Sequence, residues 1–199
     1  MRGGYAVVLM RQLRTLSESM QLAFILLLCE RMMPLLQKFG DDSGYDVSLF
    51  RNCLSDGWQA LSKGMGRRDW SNLAQECAKG APDTEEFDHP LVSAALNAAL
   101  SIAALMTFLS DKDVNHVAEA SELAEDTVAL YAQAVENDPP HSLNLQEVLS
   151  HTLVQRELGQ QLEDLAFLES LPKNLNAVAI KRINERAERN PMIIPFERP

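Results

Sequence analysis

Apolar side chains recur along most of this chain at steps of three or four residues, the period of one helix face, whereas strict alternation is nearly absent. The clearest stretch begins at Asp113, where Val114, Val117, Ala120, Ala124, Val128, Tyr131 and Val135 mark one face and the acids fall elsewhere. A second begins at Asn144 and carries Val148, Leu158, Leu162, Leu165 and Leu168 on a single long helix over 144–171. Caps and breakers divide the rest. A short first helix is expected over 5–16, then a second over 18–39, capped by Ser17 or Ser19, bent at Pro34 and stopped by Gly40. Asp46 caps a third to residue 62, with Leu49, Phe50, Cys53, Trp58 and Leu61 on its buried side, and Asp69 caps a fourth to 79. After a polar loop at 80–86, Pro90 suits the first position of a fifth helix to 109, since its missing N–H would have no partner there. The sixth ends before Pro139 and Pro140, and a last helix follows Pro172 as far as 188. The pattern predicts an all-α, single-domain helical bundle over 1–199, six to eight helices around a buried Ala-rich central helix, with an apolar tail at 191–199.

The central helix is the fifth. Residues 90–110 carry no charge, which reaches the length of a membrane span. Two features favour burial in protein. Its flanks are acidic rather than basic, and Ser93, Asn97 and Ser101 at i, i+4 and i+8 form one polar stripe. Amphipathic helices around it need a shared apolar partner, which a helix apolar nearly all round supplies. A buried Asn97 then requires a hydrogen-bond partner on a neighbour.

Composition narrows the classes. An apolar content of 46% in 199 residues excludes disorder as the main state. The net charge is −10, unevenly spread: +2 over 1–79, −15 over 80–171 and +3 over 172–199. Such a balance opposes phosphate-backbone binding, so no nucleic acid is expected. It predicts a solvated acidic face partly offset by basic ends folding back, with a docking face for a basic partner as the alternative. Cys29, Cys53 and Cys77 form no C-x-x-C pair, which suggests neither a disulfide framework nor a zinc site and fits a reducing, cytoplasmic setting. The N-terminal apolar run is followed by Arg11 and Arg14 without a cleavage signature, a poor signal peptide.

Candidate chemistry centres on Glu30 and Arg31, two charges in the apolar run 22–36 with no ion partner at i±3 or i±4. Adjacent residues project about 100° apart on a helix, so the two do not satisfy each other. Buried, they need partners from other helices; exposed, they extend a stripe with Gln37 and Lys38. The run Leu28-Cys29-Glu30-Arg31-Met32 with Pro34, together with Trp58, His116 and Met192-Ile193-Ile194, resembles the YjaG-like family of bacterial proteins of unknown function. The likeness spans about residues 10–196. It implies an all-helical cytoplasmic protein and carries over no catalytic residue; an acidic residue near position 97 in some members is Asn97 here.

Other motifs add little. His116 with Glu119 and Glu147 with His151 each share a helix face but need convergence with further ligands to hold a metal, and they read as surface pairs. Cys29 reads as an inert core thiol, and Gly64-x-Gly66-Arg67-Arg68 as a loop. No phosphate-binding or nucleophile-elbow motif occurs, so no cofactor is expected. The tail side chains Met192, Ile193, Ile194 and Phe196 should dock, on their own chain or across a dimer interface. Two functional readings stay open. One is a helical protein acting by protein–protein interaction or homo-oligomerisation; the other is a small-molecule enzyme or sensor with a pocket lined by Glu30, Arg31, Trp58 and Asn97.

Overall fold

A computed structural model describes residues 2–64, 66–135, 144–190 and 192. Among these there are nine helices and no strand: α1 Arg2–Leu13, α2 Glu18–Ser43, α3 Ser48–Lys63, α4 Trp70–Lys79, α5 Val92–Asp111, α6 Val114–Val135, α7 Leu145–Ser150, α8 Thr152–Glu169 and α9 Ala177–Arg189. The helix α5, uncharged up to its last residue Asp111, is the hub, packed against α2, α6 and α4, while α2 also meets α3, α8 and α9. Ala95, Ala98, Ala99, Ala103 and Ala104 are all buried on α5, small side chains that let neighbours approach from several directions. Gly57 does the same for α3: a Cβ there would stand 2.9 Å from Leu26 Cδ2 and 3.1 Å from Leu105 Cδ2. Both α2 and α5 are long and apolar enough to cross a membrane, with mean hydropathy of 1.5 and 1.9. In the bundle, 78% and 72% of those apolar windows are buried against other helices. The second such helix, α2, escapes notice in the sequence because Glu30 and Arg31 interrupt its apolar run.

Several boundaries differ from the sequence reading, each for a local reason. Gly40 lies inside α2, and the helix runs on to Ser43, because the left-handed C-terminal residue is Gly44, with φ 78° and its N–H on the Gly40 carbonyl at 2.9 Å. The long helix over 144–171 is two helices: His151 takes an extended conformation and its Nδ1 accepts the Leu153 N–H, capping α8, while Asn144 and Glu147 form a capping box on α7. That break gives the ninth helix. The fifth helix begins at Val92, since residues 90 and 91 form a turn in which the Leu91 N–H donates to His89 Nδ1. Asp69 caps α4 through the Asn72 N–H at 3.0 Å. The last helix starts at Ala177, capped by Asn176, rather than directly after Pro172.

Candidate functional site

Arg31 and Glu30 leave α2 in different directions and enter different surroundings. Arg31, 2% exposed, reaches across to α8, where Nη2 lies 3.0 Å from Glu157 Oε1 and Nη1 pairs with Asp164 Oδ2. Burial opposes its charge, but the two carboxylates outweigh that and hold its pKa above the ordinary arginine value. Asp164, 1% exposed, also accepts from Arg186 Nε on α9 at 2.6 Å and from Gln160 Nε2 at 3.2 Å. Gln161 extends the network: its Nε2 donates to Glu157 Oε1 at 3.0 Å, and its Oε1 accepts from Ser121 on α6 and from the Tyr5 hydroxyl on α1 at 2.8 Å. Burial, with Glu157 and Glu125 nearby, pushes the Tyr5 phenol up, so it remains the donor. Five helices thus meet in one buried polar chain. A small cavity of about 70 Å³ opens beside it, with Arg31, Arg156, Gln160 and Arg189 among its walls.

Glu30 turns toward α3 instead. Its Oε1 accepts the Trp58 indole N–H at 2.6 Å, and both side chains are half-buried. Burial raises the Glu30 carboxyl above its usual range, the indole hydrogen bond pulls it back in part, and Glu188 pushes it up. The pair stands at one end of a broad open groove of about 620 Å³ between α2 and α3, whose floor is Met33, Pro34 and Leu54. At the other end Arg51 donates to Gln37 Oε1. Glu30 to Gln37 and Arg51 to Trp58 are each seven residues, so the two polar ends lie about 10 Å apart on antiparallel helices.

Asn97 belongs to neither place. It is buried, and its Nδ2 donates to Thr127 Oγ1 on α6 at 3.1 Å, while Ser101 on the same stripe donates to the Asn97 carbonyl. The four residues read together from the sequence therefore do not line one cavity: Glu30 and Trp58 are paired, Arg31 lies on the α8 side, and Asn97 tethers α5 to α6. Met192 is buried on its own chain, with its N–H on the Arg31 carbonyl at 3.1 Å; Ile193, Ile194 and Phe196 lie outside the described residues. His116 faces Asp111 and Glu119, and among the described residues no group of three or more His, Cys, Asp or Glu side chains is arranged to hold a metal. Sequence reasoning passed over one pair: Cys53 and Cys77, on α3 and α4, bring their sulfurs to 3.4 Å. Their burial faces are readable singly, but nothing local indicates that the two meet.

Residues 8–192 match the family described as "Protein of unknown function (DUF416)". The chain belongs to that family. The uncharacterized protein YjaG of Escherichia coli (strain K12) is 26% identical over 121 residues, covering 60% of this chain and 62% of that protein, less than two thirds of its length. A crystal structure of a DUF416 family protein from Shewanella baltica OS155, at 1.91 Å resolution, superposes with a TM-score of 0.78 at 22% identity, over 90% of this chain and 93% of the other. That likeness establishes the DUF416 fold as the one seen here. No activity comes with it, so the geometry of the two sites carries the functional reading.

Proposed function

We propose that this protein acts through binding, as a homodimer joined at the α2–α3 groove. The observation behind this reading is the polarity of the groove: Glu30 at one end, Arg51 at the other, and an apolar floor between them. A two-fold axis over the middle, near Pro34 and Leu54, sets each copy's Glu30 against the other's Arg51, as a self-complementary interface requires. Trp and Arg are among the side chains that concentrate binding energy at interfaces, and Met is enriched there. A cation arriving beside Glu30 also relieves the cost of holding that carboxylate half-buried. The reading takes α2 and α5 as the core of a water-soluble bundle, which the burial of their apolar faces supports.

Light scattering over a dilution series tests it. The expected result is a dimer whose dissociation constant rises tenfold or more in Arg51→Glu, because like charges then face each other, and recovers when Glu30→Lys is added. A chain ending at residue 190 should dimerise as well as the full chain, which separates the groove from the apolar tail. A strict monomer at all concentrations, or a dimer indifferent to Arg51→Glu, overturns the proposal.

A further inference from the structure

Cys53 and Cys77 are 1% and 0% exposed, 24 residues apart in the chain, and come from different helices. The Cys77 S–H donates to Cys53 Sγ at 3.4 Å, so the two sulfurs need to close by only about 1.4 Å to reach bonding distance. They are also inequivalent. The hydrogen bond from Cys77 lowers the Cys53 pKa, with Arg68 contributing, while the same contact and burial raise that of Cys77. Arg68 is held at this end of α3 by its ion pair with Asp56. Cys29 differs in kind: buried, donating to the Ser101 carbonyl at 3.4 Å, and pushed up by burial, it stays an unreactive thiol. Both thiols are buried, so a reagent reaches them only when a helix that carries one opens; α4, ten residues long, is the shorter of the two, and the segment leading into it turns on Gly64 and Gly66, with φ 86° and 39°.

We propose that Cys53 and Cys77 are a reversible dithiol–disulfide site that staples α3 to α4 on reaction with a low-molecular-weight disulfide. The Cys53 thiolate attacks one sulfur of the external disulfide, forming a mixed disulfide and releasing one thiolate. The Cys77 sulfur, on losing its proton, attacks Cys53 Sγ, forms the internal bond and expels the second thiolate. The two protein thiols lose two electrons in total, and the external disulfide gains them and takes up the two protons as two thiols. This site is independent of the groove and of the homodimer reading.

The full chain is incubated with excess oxidised glutathione a few degrees below its Tm, denatured with an alkylating agent, and mapped by mass spectrometry. The expected product is two hydrogens lighter, carries a single alkylated cysteine at Cys29 and a Cys53–Cys77 cross-link, reverts with dithiothreitol, and melts several degrees higher than the reduced chain. In Cys77→Ser the reaction should stop at a glutathione adduct on Cys53, whereas Cys53→Ser should leave Cys77 free. Alkylation of all three cysteines in the treated wild-type chain, or a cross-link that involves Cys29, overturns the proposal.

Discussion

Two adjacent residues show how helix geometry assigns different work to similar chemistry. Glu30 and Arg31 project about 100° apart, so one faces the α3 side and the other α8. Their need for partners on other helices is legible in the sequence; the partners are not. Glu157, Gln161 and Asp164 belong to an acidic stretch that reads as a solvated face, yet they occupy the same three-and-four spacing as Val154, Leu165 and Leu168, which places them on the buried side. That spacing is the signal that could have found them. For Glu30 the raised pKa has a definite consequence. Below the usual carboxylate range the group is neutral folded or unfolded and carries no penalty; as pH rises past the ordinary glutamate value and then past the raised folded one, the folded state bears the cost of the half-buried charge. Glu30→Gln keeps an acceptor for the Trp58 indole and removes the charge. At concentrations where the chain is monomeric it should therefore melt higher than wild type at pH 7, with the difference shrinking as the pH falls through the carboxylate range. A difference independent of pH contradicts this assignment.

The elements show where sequence signals suffice and where they compete. Asp69 caps α4 in the expected way because an N-cap signal is local, whereas the cap of α9 is Asn176, past the start that Pro172 suggests. The sequence points to Gly40 as the stop of α2, whereas the left-handed residue is Gly44, and tertiary contacts explain the difference. A Cβ on Gly40 would lie 2.7 Å from Val47 Cγ1 and 2.8 Å from the Tyr45 carbonyl oxygen, so this glycine serves the close return of the chain into α3, not the end of α2. The helix-propensity gain of an alanine, about 1 kcal/mol, competes there with a collision against backbone that has little room to give. Gly40→Ala should cost about 1–3 kcal/mol in urea unfolding. At Gly44, where φ is 78° and nothing lies within 4 Å, alanine should cost only the left-handed strain, about 1 kcal/mol, and asparagine less. Equal losses at the two positions would show that the approach of Val47 and Tyr45 does not matter. The break at His151 is a similar case, since a histidine is a weak cap in a sequence and the apolar period runs through it undisturbed.

At the scale of the molecule, the charge imbalance resolves into a topology. The basic ends of the chain do fold onto its acidic middle: Arg31 from α2 and Arg186 from α9 converge on Asp164 of α8, and Arg31 also meets Glu157 at 3.0 Å. Buried pairs of this kind specify an arrangement more than they stabilise it, because desolvation offsets most of the attraction, yet removing one partner strands the other. Arg31→Met leaves Glu157 and Asp164 buried, at 6% and 1% exposure, and should destabilise the chain by about 3–5 kcal/mol. Arg186→Met leaves Asp164 its pairing with Arg31, and should cost about 1.5–3 kcal/mol, in line with a hydrogen bond to a charged group. The two arginines share one carboxylate, so their losses should not add. With both gone Asp164 retains only Gln160 among the contacts described above, and the double variant should lose more than the sum of the singles by about 0.5–3 kcal/mol. Urea unfolding of the four proteins measures that coupling. Amide exchange locates it, since the Met192 N–H bound to the Arg31 carbonyl should lose protection together with α9 when α9 is unlatched from α8. Strict additivity would mean that Arg31 and Arg186 hold Asp164 independently, and that the last helix is fastened by its apolar contacts at Ala179 and Ile183 rather than by the shared charge.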